Sequence, residues 1–497
     1  MINSINSFNY VTNTTSLDEV SNLSAQAASR EVEFSYNPQD ELVMDPLTVK
    51  LPVVSKEGEQ PETNNVRFGH DRRYPTQPLK ANENGGYVFD DKTDTKNFVS
   101  ANSMATIQKT FDDMKAVFGE DMSFAFGREK IDLFADHGKM LNAYYTRDGG
   151  GSLNFFHDTD PVTGQIAYSG ASGEVISHEV GHAILDGQRP NFMMTWKADT
   201  NGLHEAFGDI TALYMSTQSD EVCQLAAQQC GGDLHKDNCI ANTGESLGTT
   251  INHQVGRNAT GGDYVRTFLH DLKWEDPNGV PERPNKEHPV GTEMHDWSKI
   301  FSGAHYDVMA DLTKRNMEEG MDAASAIKAA GKESMEILAG AIKASPESDA
   351  SYRDIAMCML KYDEQHNGGK AHDIILRNMQ NRNILQEGDD TPSDLSMASI
   401  SEFRDVTITL DGPEFGKFSG ASVSGKTNGG FNAMSGSAEA TLAQDMKRLI
   451  KNGSILYTEP NQKVTREDMF DSKGNAYLGI VRWVDGQMTI EHTGIIS

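Results

Sequence analysis

The chain has 497 residues, 37% of them hydrophobic and 8% aromatic, which is enough to bury a sizeable core in about one to three domains. Acidic residues outnumber basic residues by 73 to 44, and the net charge is −29. Such a surface repels nucleic-acid phosphates and anionic lipid headgroups, so neither is expected as a partner. No apolar run approaches the ~20 residues that a membrane-spanning helix needs, and we predict no membrane span.

The first part of the chain, residues 1–78, is predicted to be a polar and partly disordered N-terminal region. It contains one strand-like piece, DPLTVKLPVVS at residues 45–55. Its start lacks the basic-then-apolar pattern of a Sec signal peptide. We therefore expect a protein that either stays in the cytoplasm or leaves by a leaderless, type III-like route into another cell.

The following segments mix helical and strand patterns, which predicts an α+β fold. Apolar residues recur at helical spacing in residues 100–120, where Ser100 or Ser103 is a candidate N-cap. Short strands are predicted at IDLFA, LNAYYT and SLNFF, between residues 131 and 156. From residue 201 the chain is mostly helical. A linker rich in Asp, Ser and Pro begins near residue 388, and residues 388–497 are predicted to form a small α+β accessory domain.

One stretch, GEVISHEVGHAILDGQRP at residues 173–190, carries the pattern of a metal site. Ser172 is a plausible N-cap, and Gly187 and Pro190 are stop signals, so a helix is predicted between them. Four residues advance ~400° around a helix, so His178 and His182 point the same way, one turn apart. Both imidazoles can therefore reach one ion, and Glu179 stands beside it, where a base for an activated water belongs.

The third ligand of a catalytic metal is expected from another element. The segment NGLHEAFGDITALY offers His204, Glu205 and Asp209. Glu205 as ligand, with Asp209 as acceptor for a histidine N–H, makes physical sense because ligating histidines need their other nitrogen fixed. The pattern alone leaves His204 open as the alternative ligand.

The pair HEVGH and HEAFGD resembles the zinc-binding helices of gluzincin metallopeptidases, the thermolysin-like group. The resemblance covers about residues 100–385. It implies a strand-rich N-lobe and a helical C-lobe with the active-site helix between them, formed by residues 79–387. It also implies that His178, His182 and Glu205 bind one zinc ion, that Glu179 is the general base, and that Asp209 orients the first histidine.

Further segments extend the resemblance to the substrate. NAYY is similar to an edge strand of the family, so Asn142 and Ala143 are expected to pair with a substrate backbone. MHDWSKIFSGAHYD resembles the segment whose histidine donates to the oxyanion, which implies that role for His295. Arg266 matches an arginine that grips a substrate carbonyl.

The sequence also departs from the family pattern. The oxyanion tyrosine has no match, and Trp196 is the nearest donor. Val290 stands where an aspartate precedes the histidine. Glu174 matches one calcium ligand, but its partners do not align, so calcium is not predicted. Apolar residues such as Phe155 and Met193 fit the core better than a substrate pocket.

The cysteines do not indicate a second metal site. Cys223, Cys230 and Cys239 cluster in the sequence near His235, but their spacing is not that of the CxxC knuckles of structural zinc sites. Together with Cys358 they are predicted to be free thiols or to form one disulfide.

These features predict a zinc-dependent endopeptidase whose partner is a protein or peptide substrate. An aminopeptidase of the same clan is one alternative, although the G-x-M-E-N stretch that binds a free amine is missing. A non-catalytic, zinc-stabilised binding protein is another. Glu179 argues against it, because a purely structural site needs no base.

Overall fold

The computed structural model of the protein describes residues 29–71, 78–119, 122–256, 260–389, 404–427, 437–471 and 474–496. The architecture is mixed α+β, with several sheets and a large group of helices, so the α+β prediction is confirmed. The N-terminal residues 1–28 and most of the predicted linker, residues 390–403, lie outside the described residues.

A β-hairpin opens the described chain. β1 (Arg30–Tyr36) pairs antiparallel with β2 (Leu47–Val53), and β2 coincides with the strand-like piece predicted at residues 45–55. Alternate residues of β1, including the fully buried Phe34, enter the main hydrophobic core. The hairpin is therefore an integral part of the main unit, although the sequence analysis placed it in the polar, partly disordered N-terminal region.

The main sheet has five strands in the order β16-β5-β6-β4-β3. Strands β3, β4 and β6 run parallel, and β5 is antiparallel to β6 and to β16. Their bounds are β3 (Val66–Phe68), β4 (Ile131–Phe134), β5 (Ala143–Thr146), β6 (Ser152–Phe155) and β16 (Ile495–Ile496). The three strands predicted between residues 131 and 156 are confirmed. β5, however, is not the edge strand that the sequence suggested, because β16 lies beside it.

Two further sheets have two strands each. They are formed by β7 (His157–Thr159) with β8 (Ile166–Tyr168), and by β9 (Asn242–Thr243) with β10 (Arg266–Thr267). Each is antiparallel and short.

Helices supply most of the remaining core. α1 (Thr95–Phe118) begins before the predicted start, after Asp94, and packs against α2 and the hairpin. Helices α2, α3, α6 and α7 then pack in succession, which buries apolar side chains such as Phe207 and Phe301. The helices are α2 (Gly173–Gln188), α3 (Ala198–Gln218), α4 (Asp220–Cys230), α5 (Glu245–Val255), α6 (Met294–Glu318), α7 (Ala323–Ala344), α8 (Tyr352–Asn367) and α9 (His372–Asn381).

Residues 404–496 are here called the accessory unit. Its described residues up to His492 form a second five-stranded sheet in the order β11-β12-β15-β14-β13, with one helix. The strand and helix patterns predicted in this part of the chain are confirmed. Its own core contains Val423, Met446 and Val481, together with Trp196 from the main unit. The bounds are β11 (Arg404–Thr409), β12 (Ser422–Thr427), α10 (Ala438–Lys451), β13 (Ile455–Leu456), β14 (Gly479–Val484) and β15 (Gln487–His492).

Among the helices of the described segments, none has both the length and the apolar character needed to cross a bilayer. All four cysteines are buried and carry free thiols, as one of the two sequence predictions expected. Phe155 and Met193 are buried in the main core rather than in a pocket.

The start of α2 is fixed by a close approach to the loop after β1. Gly173 is its first residue, and a Cβ there would lie 1.9 Å from the carbonyl oxygen of Asn37. We expect Gly173→Ala to lower the free energy of unfolding by about 1–3 kcal/mol, because backbone must move to relieve the overlap. Urea denaturation measures the change.

The matched control is Gly279→Ala, whose Cβ would make an ordinary contact of 3.5 Å with the oxygen of Asp276. Its stability should stay within about 0.5 kcal/mol of the parent. Equal stability of the two variants would show that this packing of the hairpin loop on α2 is not tight.

Candidate metal centre

The HEVGH stretch lies in α2, as predicted. The side-chain oxygen of Ser172 accepts a hydrogen bond from the backbone N–H of Val175, so Ser172 is the N-cap. The ring centroids of His178 and His182 are 4.6 Å apart, and both side chains are buried. The donor atoms of His178, Glu179 and His182 all lie within 4.8 Å of one another, so this buried cluster can hold a metal ion.

Two facing glycines let α3 come close to α2 at this point. A Cβ on Gly208 would lie 2.7 Å from the ring of His178, and a Cβ on Gly181 would lie 3.0 Å from the Cα of Gly208. Gly181 of HEVGH and Gly208 of HEAFGD therefore mark the point at which the two helices touch. The carboxylates of α3 reach the histidines of α2 because no side chain separates the backbones.

Glu205, from α3, stands between the two histidines. Its Oε2 is 3.4 Å from Nε2 of His178, and its Oε1 is 3.6 Å from Nε2 of His182. These distances are long for hydrogen bonds. Two donor atoms bound to one tetrahedral ion at ~2.1 Å lie about 3.4 Å apart, so the spacing fits ligands that share a metal.

The polar atoms of this group lack other partners. Both oxygens of Glu205, Nε2 of His182 and Oε2 of Glu179 are buried and make no hydrogen bond with the described residues. A buried carboxylate without hydrogen bonds is costly. A cation at this position would satisfy all of these atoms together.

Asp209, one turn after Glu205, faces the other side of the first histidine. Its Oδ1 is 3.0 Å from Nδ1 of His178 and accepts a 2.8 Å hydrogen bond from Nε of Arg266. Nη2 of Arg266 also lies 3.3 Å from that Nδ1. The Asp209 contact is the shorter one, so we assign the Nδ1 proton to it. Nε2 of His178, which lies 3.4 Å from the same Nη2 of Arg266, is then the nitrogen that would face a metal.

Arg266 reaches this position because β10 pairs with β9, opposite Thr243. Besides Asp209, its guanidinium lies 4.0 Å from Oε2 of Glu205, and 15% of its side chain is exposed. The structure thus brings Arg266 into the cluster, where its charge balances buried carboxylates. Asn142 and Ala143 lie outside the cluster, at the start of β5.

His204 sits behind His182 rather than beside the other donors. Its Nδ1 is 3.0 Å from Nδ1 of His182, the nitrogen that faces away from Glu205. Burial lowers the pKa of His204 to about 3, so it is neutral at physiological pH. Of the two ligands that the sequence left open, Glu205 faces both Nε2 atoms, whereas His204 is placed to orient His182.

His295 lies at the open side of the cluster, in the first turn of α6. Its Nε2 is 3.5 Å from Oε2 of Glu205, and its Nδ1 is hydrogen-bonded to Oε1 of Glu293 at 2.7 Å. Burial opposes the charged ring, but Glu205 and Glu293 outweigh it and raise the pKa of His295 to about 10. The ring is therefore a cationic donor at neutral pH.

Glu293 is a site residue that the sequence reasoning missed. It is the N-cap of α6, where its carboxylate accepts hydrogen bonds from the backbone N–H groups of His295 and Asp296. The available signal was an acidic residue shortly before a segment with a helical pattern. The family pattern places an acidic residue at position 290, which is Val290 here, whereas the carboxylate that contacts His295 comes from Glu293, three residues later.

Other candidate residues have structural partners. The indole N–H of Trp196, considered as an oxyanion donor, donates to the carbonyl of Ser424 and is not free for substrate. Glu174 accepts a hydrogen bond from the N–H of Gly244, and burial, together with nearby Glu245, raises its pKa well above the usual range.

Electrostatics within the cluster follow from burial and from the neighbouring charges. Burial and Arg266 disfavour protonation of His178, but Asp209 and Glu205 outweigh them and raise its pKa to about 9. Burial lowers the pKa of His182 far below its usual value and raises the pKa of Glu179 to about 8. Burial opposes ionisation of Glu205 too, yet His295, His178 and Arg266 hold its pKa below the usual value.

Comparisons with known proteins do not assign the chain to a family. No protein-family profile matches it, and a search of curated proteins finds no match.

The buried carboxylate of Glu205 provides a direct test of metal binding. We expect Glu205→Gln to fall well below one metal ion per chain after dialysis, because the variant removes the negative charge between two imidazoles. The control is His305→Gln, at a buried histidine of α6 outside the cluster. It should retain the parental content, measured by elemental analysis. Loss of metal from both variants alike would argue against a specific role for Glu205.

His204 gives a second, graded test. If it orients His182, His204→Ala should weaken metal binding about 10–100-fold, and His204→Asn should recover part of the loss by offering a new hydrogen-bonding group. Competition with a chromogenic chelator measures the dissociation constants. Complete loss of metal in both variants would instead make His204 a ligand.

Proposed function

We propose that the protein is a zinc-dependent endopeptidase of the thermolysin-like gluzincin type. One observation carries the proposal. The fully buried Glu205 presents two oxygens that lack hydrogen bonds to the Nε2 atoms of His178 and His182, at 3.4 and 3.6 Å. Two imidazoles and one carboxylate on adjacent helices are a ligand set typical of catalytic zinc.

His178, His182 and Glu205 would hold the ion, and Asp209 and His204 would fix the outer nitrogens of the two histidines. When bound, zinc would lower the pKa of a coordinated water and polarise a substrate carbonyl. A two-histidine, one-carboxylate site leaves a position open for those groups.

Glu179 is the proposed general base. It follows His178 directly in α2, its Oε2 is buried without a hydrogen bond, and a carboxylate oxygen lies within 4.8 Å of a ring nitrogen of each histidine. Burial raises its pKa to about 8, which is close to neutrality and suits a group that first accepts and later returns a proton. Glu179 would take a proton from the attacking water and deliver it to the leaving amine.

His295 is the proposed donor to the oxyanion. Its Nε2 faces the cluster 3.5 Å from Oε2 of Glu205, and Glu293 holds the opposite nitrogen. An N–H at Nε2 would donate to the carbonyl oxygen and stabilise negative charge as it develops there. The hydrogen bond to Glu293, which is itself held by its N-cap contacts, keeps this donor oriented before substrate arrives.

The substrate is proposed to be an extended peptide segment of a protein. Asn142 and Ala143 would pair with its backbone at β5, and Arg266 would contact a carbonyl group once substrate is present. In this assignment the strand-rich region before α2 is the N-lobe, and the helices from α3 onward are the C-lobe. The site would lie between them, against α2.

The base assignment predicts a separation of metal binding from hydrolysis. Glu179→Gln should retain the metal and lower peptide hydrolysis about 10²–10⁴-fold, because the amide cannot accept the proton. The assay is cleavage of proteins in a cell lysate, with and without a zinc chelator, followed by identification of the new N-termini. Internal cuts support an endopeptidase, and removal of single N-terminal residues would support an aminopeptidase.

Glu174→Gln is the matched control, because Glu174 is a buried glutamate of the same helix that accepts a hydrogen bond from Gly244. It should cleave like the parent. If Glu179→Gln is as active as this control, Glu179 is not the base.

A further inference from the structure

The last described strands cross from the accessory unit to the main sheet. β15 belongs to the accessory sheet, and β16 follows it after Thr493 and Gly494. β16 pairs antiparallel with β5, with Ile495 opposite Thr146 and Ile496 opposite Tyr145. The edge of β5 at which a peptide substrate would add is therefore occupied by this chain itself. The pairing begins at Tyr145, two residues after Ala143.

The contact is packed and hydrogen-bonded. Ile496 is 3% exposed and lies in the main core, and Ile495 is buried in a small cluster with Tyr144 and Phe156. The hydroxyl of Thr146 donates to the carbonyl of Gly494 at 3.0 Å. β16 thus fills the edge much as a bound peptide strand fills one, with backbone pairing and alternate side chains in apolar seats.

A loop of the accessory unit covers the other end of β5. The side-chain amide of Asn142, a residue proposed to bind substrate, donates instead to the carbonyl of Gly474 at 2.8 Å. The rings of Tyr144 and Phe470 are 5.2 Å apart, and the guanidinium of Arg466 lies over Tyr144. Beneath this loop is a cavity of about 410 Å³, lined by Leu141, Tyr144 and Phe156 from the main unit.

The accessory unit also contacts the side of the site that carries His295. Asn452 donates to the hydroxyl of Thr292, the residue before Glu293, at 2.9 Å. Arg448 donates to the carbonyl of Trp196, close to the start of α3. The accessory unit is therefore anchored both on β5 and on the segment that leads into α6.

We propose that the accessory unit is a built-in inhibitor of the peptidase, with β16 as the segment that occupies the substrate strand position. The proposal rests on the proposed function and adds its regulation. In the arrangement described here, Asn142 and the edge of β5 are engaged by the chain itself. Withdrawal of β16 from β5 exposes the edge and admits an extended peptide.

A pair of glycines allows a matched test. Gly494 precedes β16 with φ +67°, and Gly486 lies in the turn between β14 and β15 with φ +78°. A Cβ at Gly486 meets nothing within 4 Å, and one at Gly494 makes only an ordinary contact of 3.6 Å with Oδ1 of Asp148. Valine is strained at both positions, but only Gly494→Val disturbs the entry into β16. Each full-length variant is loaded with zinc and compared with the parent.

Two readouts are measured on each protein: hydrolysis of an internally quenched peptide, and the dissociation constant of a short peptide hydroxamate that binds zinc and pairs with the strand edge. We expect Gly494→Val to raise kcat/KM and to tighten hydroxamate binding about tenfold, since one residue forced out of its backbone region weakens the seat of β16 by that order. Gly486→Val should behave like the parent.

The outcomes are separable. Equal binding and equal hydrolysis in parent, Gly494→Val and Gly486→Val would overturn the inhibitor role and leave the peptidase proposal intact. Failure of all three proteins to bind the hydroxamate and to cleave peptide would overturn the proposed function, and the inference with it. Equal gains in both valine variants would point to general loosening of the accessory unit and would also overturn the role of β16.

A measurement in trans keeps the test decisive if Gly494→Val folds poorly. A synthetic peptide of residues 487–497, QMTIEHTGIIS, should compete with the hydroxamate for the parent protein. The same peptide with aspartate in place of Ile495 and Ile496 should not, because the apolar seats would reject the charges. If both peptides compete equally, or if neither competes, the proposed binding of β16 to the edge of β5 at the substrate position is contradicted.

Discussion

The site is organised around a buried negative charge whose oxygens make no hydrogen bonds. Glu205 is completely buried, its pKa is held low, and its oxygens find no hydrogen-bond donor among the described residues, although imidazole nitrogens stand on either side. Removing a carboxylate from water without a partner is unfavourable by several kcal/mol, so such an arrangement persists only when a positive charge completes it. Arg266 and His295 supply part of that charge, and a metal ion between the imidazoles would supply the rest.

The fold brings these groups together by close helix packing. Gly181 and Gly208 allow α2 and α3 to approach, so carboxylates of α3 reach histidines that project from α2. The ribbon of β9 and β10 delivers Arg266 from one side, and the N-cap of α6 delivers His295 from another. Each donor thus comes from an element whose own position is fixed by backbone pairing or by capping, and preorganisation of this kind is what electrostatic catalysis requires.

Sequence alone could predict the features that depend on the spacing of residues within one helix or strand. The i, i+4 spacing of His178 and His182 fixes their common direction on any helix, and the strands of residues 131–156 follow from alternation and turns. The role of Glu293 depends on where α6 begins, and the contact of His204 with His182 depends on the crossing of two helices. Pairing of β16 with β5 joins residues about 350 positions apart, and two apolar residues near Gly494 carry no local sign of their distant partner. Such long-range choices are made by tertiary packing, which short sequence windows do not contain.

Trp196 has a consequence for how the chain is put together. Its indole belongs to the main unit by sequence, yet it is packed in the accessory core, stacked on His492 and hydrogen-bonded to Ser424. A fragment cut between the two units would leave one half with an exposed indole and the other with a hole in its interior. Trp196 therefore couples the two units. We expect heat or denaturant to unfold them in one cooperative transition rather than one after the other.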